Sequence, residues 1–352
     1  MKVFKFYPKN HSKFHFGSGH GKLEETFSSD KLFSALYNCA VMLYGQDKEE
    51  NHLLNLLQNS LISSLYPGIR SRNLENQKEV ELFFLPRPLL PQAYEENKDL
   101  KKHKKEKKIR YISIGAFEHL NNSWQDSGKC EFTLSDLKTF GGVFACTAEE
   151  FQSLGIAEGA ENIKLLDFDA KPRVVISRFD DHSENFFFQE EGEVTYYQKN
   201  EILLEPFMYF LFDGQIDSRL IAAIRFMADE GLGGKRSQGM GYFEEVLEGE
   251  LPNELFSGKG KYYMNLSAVY PSIEEVDDLK YYELVERSGY IYSKYGRPLR
   301  KKRIRLLKEG SIFSRKIDGR IIDISPEVFK EHSVLLNGRA FLIPLGRCSN
   351  ES

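Results

Sequence analysis

The stretch GLGGKRSQGMG, residues 231–241, places five glycines, one lysine and one arginine within eleven positions. The residues before it, IDSRLIAAIRFMADE, carry apolar side chains at helical spacing, and Asp217 or Ser218 is suited to cap that helix. Gly231 stands where a helix ends in a left-handed residue, and the YFEEVLE that follows predicts a strand. The glycine-rich loop, as we call residues 231–241, is therefore predicted to connect a helix to a strand.

This order excludes the two best-known glycine loops that bind nucleotides. A dinucleotide-binding loop with G-x-G-x-x-G spacing follows a strand and opens a helix, which is the reverse of the order here. A Walker loop needs lysine directly after its last glycine, whereas Gly239 is followed by Met240. The glycine-rich loop belongs to neither type.

The composition indicates a chain that can build a large core in a reducing compartment. With 352 residues, 41% of them apolar, it suggests two domains of ordinary size or one domain with large insertions. The cysteines are isolated and form no C-x-x-C pair, which argues against a disulfide scaffold and a zinc ribbon: Cys39, Cys130, Cys146 and Cys348. The N-terminus alternates like a strand, and no apolar run reaches membrane-spanning length. We therefore expect a cytoplasmic protein with no membrane partner, no metal and no cofactor.

The charges are unevenly distributed, although the net charge is only −4. Residues 294–320 contain eleven basic and two acidic side chains, and residues 98–110 contain eight basic and two acidic ones. Such asymmetry is typical of a protein with a polyanionic partner. The run KKHKKEKK at 101–108 has no apolar period, which predicts a solvated loop. For 294–320, where apolar residues interrupt the basic ones, a folded basic face and a solvated one both remain open.

Hydrophobic periodicity along the chain predicts an α+β fold. The predicted helices cover 28–44, ending at Gly45, then 51–65 and 217–229. The predicted strands are KVFKFYP (2–8), VELFFLPRPLLP (80–91), PRVVISRF (172–179), EPFMYFLF (205–212) and 242–248, with NFFF (185–188) and VTYY (194–197) as a projecting hairpin. Without its insertions, this order is β-α-β-β-α-β, which is typical of a ferredoxin-like domain.

We predict two ferredoxin-like, RNA-recognition-motif-like domains, at 1–250 and 260–347, the second of them degraded. A thumb-like β-hairpin and a lysine-rich insertion are added to the first. The aromatic RNP1 signature of RNA-recognition motifs is absent from the sequence. RNA binding is therefore expected to use loops and not the face of the sheet.

Five stretches in order along nearly the whole chain resemble the RAMP proteins of CRISPR effector complexes, in particular the fourth Csm subunit of type III-A systems. They are FHFGSG (14–19), SSDKLFSAL (28–36), PRVVISR (172–178), GLGGKRSQGMGYFE (231–244), and ERSGYIYS with RKKRIRLLKEGSIF (286–313). The sequence departs from the family at Ser177, where we expect an aspartate, and in a longer lysine-rich segment.

The resemblance implies a non-catalytic RNA-binding subunit of an antiviral ribonucleoprotein. Such a subunit would hold the repeat-derived 5′ handle of the guide RNA and seat the large polymerase-like subunit. A backbone RAMP subunit of the same complex would lie on its other side. In RNA-guided assemblies of this kind, base pairing recognises the target and protein contacts hold the guide.

The glycine-rich loop has the chemistry of a phosphate-binding element. Glycines let backbone N–H groups approach phosphate oxygens without a Cβ, and the loop adds two cations and two hydrogen-bonding side chains. The alternative is a flexible surface turn. Together with the resemblance, these features predict the following RNA-binding residues: Gly233, Gly234, Lys235, Arg236, Ser237, Gln238, Gly239, Gly241, Arg173, Arg178, His15, Arg300, Lys301, Lys302 and Arg303.

His11, His15 and His20 raise two further possibilities, a metal site and a general base. They lack a compact fourth ligand for a metal. Related RAMP endonucleases use a histidine near the first helix, but cleavage also needs an acid and a group that stabilises the developing charge. The sequence places neither, so no catalytic residue is predicted. A RAMP-type endoribonuclease that processes guide precursors is the alternative, and a general RNA-binding protein outside CRISPR defence is a third reading.

Overall fold

A computed structural model describes most of the chain. The described residues are 1–17, 23–24, 26–45, 52–90, 100–123, 134–156, 163–177, 179–180, 182–291 and 299–347.

The helices of this part are α1 (Ser29–Tyr44), α2 (His52–Gln58), α3 (Leu100–Lys108), α4 (Ile114–Asn122), α5 (Ala148–Ser153) and α6 (Ser218–Glu230). The strands up to the end of α6 are β1 (Lys2–Tyr7), β2 (Lys13–Phe14), β3 (Leu61–Ile62), β4 (Tyr66–Asn73), β5 (Glu79–Pro86), β6 (Tyr111–Ser113), β7 (Lys138–Phe140), β8 (Phe144–Cys146), β9 (Leu166–Ile176), β10 (Ser183–Val194), β11 (Tyr197–Lys199) and β12 (Ile202–Asp213). The later strands are β13 (Glu245–Glu250), β14 (Gly260–Asn265), β15 (Leu279–Tyr281), β16 (Leu284–Arg287), β17 (Ile304–Leu307), β18 (Ile312–Phe313), β19 (Gly319–Asp323), β20 (Leu335–Arg339) and β21 (Leu342–Arg347).

A large mixed sheet forms the centre of the molecule. Its strand order is β13-β1-β12-β4-β5-β6-β8-β7, and β3 and β11 also pair with β12. The first four of these strands pair antiparallel, whereas β6 and β8 run parallel. The alternation in KVFKFY sets the register, since Phe4 pairs with Phe210 and Phe6 with Met208 on one face.

The two faces of this sheet bury different halves of the core. Four phenylalanines of β1 and β12 (Phe4, Phe6, Phe210 and Phe212) lie against buried side chains of α1 and α6. On the opposite face, Val3 and Leu211 belong to a cluster that includes Met264, Leu266 and Ile343 of the C-terminal strands. Residues 1–250 and 260–347 therefore share one continuous hydrophobic cluster.

The C-terminal region is built from short antiparallel strands. A four-stranded sheet has the order β15-β18-β14-β21, and β16-β17 and β19-β20 form separate two-stranded sheets. Within the described residues 260–291 and 299–347, the helical elements are limited to a 3-10 turn at Ile273–Asp278.

A long hairpin is formed by β9 and β10, which pair over most of their length. The short strand β2 pairs with the root of β10, where Gly192 lies opposite Phe14. The prediction that NFFF pairs with VTYY is wrong: NFFF lies in β10 and pairs with β9, whose Val174 faces Phe186. The observed pairing aligns the apolar residues of two long strands along most of their length.

Two other predictions about helices need correction, and a third is confirmed. The predicted helix at 51–65 ends at Gln58, because Ile62 pairs with Phe212 at the sheet edge. The run KKHKKEKK lies in α3 and is not a loop; lysine and glutamate are good helix formers, and Glu106 is buried. The helix α1 begins after Ser28 and ends at Gly45, as predicted, and Leu43 and Tyr44 in its last turn are exposed.

In the part of the chain described above, no helix is both long and apolar enough to span a bilayer. The same part contains no group of three or more His, Cys, Asp or Glu side chains arranged to hold a metal ion.

Candidate nucleic-acid interface

The glycine-rich loop starts from a well-capped helix. The Asp217 carboxylate accepts a hydrogen bond from the N–H of Leu220 at 2.7 Å, which confirms Asp217 as the N-cap of α6. At the other end Gly231 has φ 82° and donates its N–H to the carbonyl of Met227 at 3.0 Å. Its ψ of 153° is extended, so Gly231 ends the helix with positive φ but not in the left-handed helical conformation that we predicted.

The loop is fastened to β2 by backbone hydrogen bonds. Gly234 donates to the carbonyl of His15 at 2.8 Å, and Gly241 donates to the carbonyl of Lys13 at 2.8 Å. Within the loop, Leu232 donates to the carbonyl of Gly241 at 2.9 Å, and the side chains of Leu232 and Met240 are buried. The base of the loop is thus a packed and hydrogen-bonded part of the fold.

The glycines of the loop serve two different needs. A Cβ on Gly241, at φ 88°, would stand 2.2 Å from the carbonyl oxygen of Leu232. A Cβ on Gly233, at φ 92°, would stand 2.7 Å from the carbonyl oxygen of His15. Gly239 also has positive φ, at 81°, but a Cβ there would meet nothing within 4 Å. The amides of Gly234 and Gly241 therefore hold the loop together, because each donates to a backbone carbonyl of residues 13–15.

The tip of the loop is its exposed and polar part. Lys235 has left-handed backbone angles, with φ 59° and ψ 22°, and a 3-10 turn follows at Arg236–Gln238. Tyr242 donates its hydroxyl to the carbonyl of Arg236 at 2.8 Å, which braces the turn. Lys235, Ser237 and Gly239 are exposed. Among the described residues, no carbonyl or side chain accepts from the amides of Arg236 and Ser237.

A cleft of about 520 Å³ brings the loop together with the C-terminal basic segment. We call it the loop cleft. Gly233, Gly234 and Arg236 form one side, and Tyr290, Lys301 and Lys302 form the other. α1 also contributes to the lining. Five of the residues predicted to bind RNA, separated by more than 60 positions in the sequence, thus line a single concave surface.

The cations of this region differ in their surroundings. Burial lowers the pKa of the Lys301 ammonium, and the nearby Asp30 carboxylate opposes that shift. Arg300 lies over the ring of Tyr290 at 5.5 Å and is exposed. Arg303 is also exposed but forms an ion pair with Glu286. The guanidinium of Arg236 lies 3.7 Å from Glu230.

His15 lies directly beneath the loop. Its Nδ1 is 3.1 Å from the carbonyl oxygen of Glu190 on the hairpin, and its own carbonyl accepts from Gly234. A Cβ on Gly234 would come within 3.0 Å of the His15 ring. The predicted contact residue His15 therefore connects the hairpin root to the loop.

Arg173 lies elsewhere, on the polar face of the β9–β10 hairpin. It forms an ion pair with Glu191, a carboxylate that is almost fully buried and also lies 3.3 Å from the Lys13 ammonium. Burial raises the pKa of Glu191, but hydrogen bonds from Arg173 and Lys13 outweigh it and hold the pKa below its ordinary value. Arg178 and His20, the other basic residues considered in this part of the sequence, lie outside the described residues.

Sequence reasoning missed a buried ionic cluster centred on Arg287. Its Nε donates to Asp30 at 2.9 Å, and its terminal nitrogens donate to Glu24 at 2.9 Å and to Ser28 at 2.6 Å. The cluster joins β16 to the start of α1 across more than 250 positions. No local pattern could have revealed it, because an arginine with an aspartate so far away in sequence carries no spacing signal.

The comparisons with known proteins agree on one family. Residues 258–345 match the model of the CRISPR Csm4 C-terminal domain. A "CRISPR system Cms protein Csm4" of Methanocaldococcus jannaschii is 29% identical, with 98% of this chain and 97% of that protein aligned. A chain in the crystal structure of a Csm3-Csm4 subcomplex of the type III-A interference complex is 27% identical, with a TM-score of 0.66, covering 98% of this chain and 99% of that one. A chain in a Csm1-Csm4 cassette with cA4 has a TM-score of 0.53 at 18% identity, with 99% of both chains covered.

Proposed function

This chain belongs to the Csm4 family of CRISPR effector subunits, and from that premise we propose that it is a non-catalytic subunit that binds the 5′ handle of the guide RNA. In this role the chain would be one subunit of a type III-A effector complex. The loop cleft carries it, because this cleft combines cations, exposed backbone amides and a tyrosine on one concave surface.

The chemistry of the loop cleft suits an RNA backbone. Arg236, Lys301 and Lys302 supply positive charge from opposite sides of the cleft. The amides of Arg236 and Ser237 offer donors at the start of a 3-10 turn, a geometry that binds anions. Tyr290 adds an exposed ring on which a base can stack.

We propose two protein partners for the same subunit. The related chain of the Csm3-Csm4 structure is assembled with Csm3, and that of the Csm1-Csm4 cassette is assembled with Csm1. By that likeness, this chain would contact a backbone RAMP subunit and the large polymerase-like subunit of its own complex. We propose that this complex assembles in the cytoplasm.

The strand order supports a ferredoxin-like core in residues 1–250. The elements β1, α1, β4, β12, α6 and β13 follow in chain order, and their strands lie in the spatial order β13-β1-β12-β4. That is the antiparallel fourth-first-third-second arrangement of a ferredoxin-like domain. We propose that β5 to β11 are insertions into this core, and that 260–347 forms the second, degraded domain without the helices of the first.

The alternative, an endoribonuclease that processes guide precursors, would need His15 or another group to act as a base. His15 has its Nδ1 directed at a backbone carbonyl and its own carbonyl engaged by the loop, which favours a structural role. Incubating the purified chain with a repeat-containing RNA in the absence of metal tests this. Specific cleavage that is lost in His15→Ala would favour the endoribonuclease.

The main test measures guide RNA recovered per mole of complex. Lys235→Ala with Arg236→Ala should lower recovery several-fold, because two phosphate contacts are removed from the tip of the loop. The control is Lys259→Ala with Lys330→Ala, which removes two exposed lysines outside the cleft lining. Equal recovery for both variants would overturn the assignment of the loop cleft to guide binding.

A further inference from the structure

A second and larger cleft lies on the other side of Arg287. Its volume is about 1020 Å³. One wall is formed by residues 86–90, at the end of β5, and by Lys107 and residues 109–111, around the start of β6. The opposite wall is formed by residues 280–285, from β15 into β16. We call it the tyrosine cleft, after Tyr111, Tyr281 and Tyr282 in its lining.

The lining of the tyrosine cleft carries an excess of positive charge. The basic residues are Arg87, Lys107, Arg110, Lys280, Arg287 and Lys308, and the acidic ones are Glu24, Glu283 and Glu309. Glu24 is neutralised by Arg287 and Lys31, and Glu283 by Lys308 at 3.0 Å. Glu309 accepts a hydrogen bond from Ser64, and burial raises its pKa.

Lys107 and Lys280 are available to an anionic ligand. Within the described residues, Lys107 and Lys280 form no ion pair, and both are exposed. The guanidinium of Arg87 donates to the carbonyls of Glu106 at 2.9 Å and Ile109 at 3.3 Å. Burial lowers the pKa of Arg87, and the nearby carboxylates of Glu106 and Glu283 oppose that shift.

Two exposed tyrosines indicate which class of ligand fits the tyrosine cleft. Tyr281 and Tyr282 are 43% and 50% exposed, which is unusual for large aromatic side chains in consecutive positions. Exposed aromatic rings between cations are the surface on which unpaired bases stack while their phosphates are neutralised. An acidic peptide would use the cations but gains less from the flat faces of the tyrosine rings, so the combination favours single-stranded nucleic acid.

The two clefts meet at one residue. Arg287 lines both of them, and its guanidinium is held rigidly by Glu24, Ser28 and Asp30. We propose that the tyrosine cleft binds an unpaired segment of the same RNA that the loop cleft holds, with its bases stacked on Tyr281 and Tyr282 and its phosphates near Lys107 and Lys280. This inference rests on the proposed function, since it extends the path of that RNA past Arg287.

The test uses the full-length chain and fluorescent single-stranded oligoadenylates of about 6 and about 16 nucleotides. The longer RNA is chosen to extend over both clefts, and the shorter one to fill a single cleft. Tyr281→Ala with Tyr282→Ala should weaken binding of the longer RNA by about tenfold or more, because stacking of each base is lost. Tyr44→Ala is the control, since it removes an exposed tyrosine that lines neither cleft. Lys107→Ala with Lys280→Ala should in addition lower the salt dependence of binding.

Three outcomes separate this inference from the proposed function. If the loop variants weaken RNA binding and the tyrosine-cleft variants match the control at both lengths, the proposed function stands and this inference fails. If neither set weakens binding, both fail. If the tyrosine variants keep RNA but release a protein subunit from the purified complex, the cleft is a protein-docking site and the inference is overturned.

Discussion

Individual glycines in one loop differ in what they do. Gly241 is buried and faces the carbonyl of Leu232, whereas Gly239 is exposed and faces open space, although both have positive φ. A side chain at Gly241 would collide with the backbone of Leu232, whereas one at Gly239 would meet nothing within 4 Å.

These two positions give a matched pair of variants. Gly239→Ala should lower the free energy of unfolding by about 1 kcal/mol, which is the strain of a Cβ at positive φ. Gly241→Ala should lower it by clearly more, since steric overlap with Leu232 adds to the same strain. Chemical denaturation of both variants measures the difference. Equal losses would mean that the base of the loop relaxes freely.

The pKa of Glu191 gives a pH-dependent prediction at the scale of one residue. Burial raises this pKa, but Arg173 and Lys13 together hold it below its ordinary value. A carboxylate with a lowered folded pKa stabilises the protein fully above its unfolded pKa and loses that effect as pH falls through the folded value. The wild type should therefore exceed Glu191→Gln in unfolding free energy near pH 7, by an amount that shrinks towards about pH 3.

Unfolding curves across that pH range check the prediction. Glu331→Gln serves as the control for changing charge at the surface, because Glu331 is exposed. A difference between wild type and Glu191→Gln that stays constant with pH would show that the loss comes from packing and not from ionisation.

Elements with a local period were predictable, and elements fixed by distant contacts were not. The alternation of β1 and the capped periodicity of α6 gave the right element types, since both patterns are contained within one segment. The helix at 51–65 was overextended, because pairing of Ile62 with β12 depends on a strand 150 positions away. The juxtaposition of the glycine-rich loop with Lys301 and Lys302 could not be predicted, because it depends on how the C-terminal strands pack.

Guide binding in the loop cleft predicts that the tip of the glycine-rich loop and Lys301 with Lys302 each contact phosphates of the RNA. Lys235→Ala with Arg236→Ala, and separately Lys301→Ala with Lys302→Ala, should each reduce the slope of log K against log salt by up to about 1.4, for two phosphates on a single strand. Arg173→Ala should change the slope much less, because Arg173 is neutralised by Glu191. Binding of single-stranded RNA across a salt series gives all three slopes. If only one of these two double variants changed the slope, the RNA would lie outside the cleft.

The whole molecule is held as one unit by its shared core and by Arg287. The hydrophobic cluster on one face of the central sheet includes residues from β1 to β21, and the Arg287 cluster ties β16 to α1. Shared burial of this kind favours a single unfolding transition over two independent ones.

Arg287→Ala should therefore cost about 3–5 kcal/mol, because it leaves Asp30 buried without its partner. Arg303→Ala is the matched control: its ion pair with Glu286 is exposed on the arginine side and is expected to contribute at most about 1 kcal/mol. Calorimetry on the wild type and both variants supplies the unfolding enthalpy and the number of transitions. Two resolved transitions in the wild type, or equal losses in the two variants, would contradict this account of the molecule.

The β9–β10 hairpin has a consequence for how the chain exists before assembly. Phe186, Phe188, Val174 and Ile176 are all well exposed on this ribbon, and Phe179 near its turn is fully exposed. A long apolar ribbon with exposed side chains favours association between copies of the same chain through that surface. If the chain were synthesised before a partner that covers the hairpin, it would aggregate. The yield of assembled subunit would then depend on the timing of synthesis as well as on the stability of the chain.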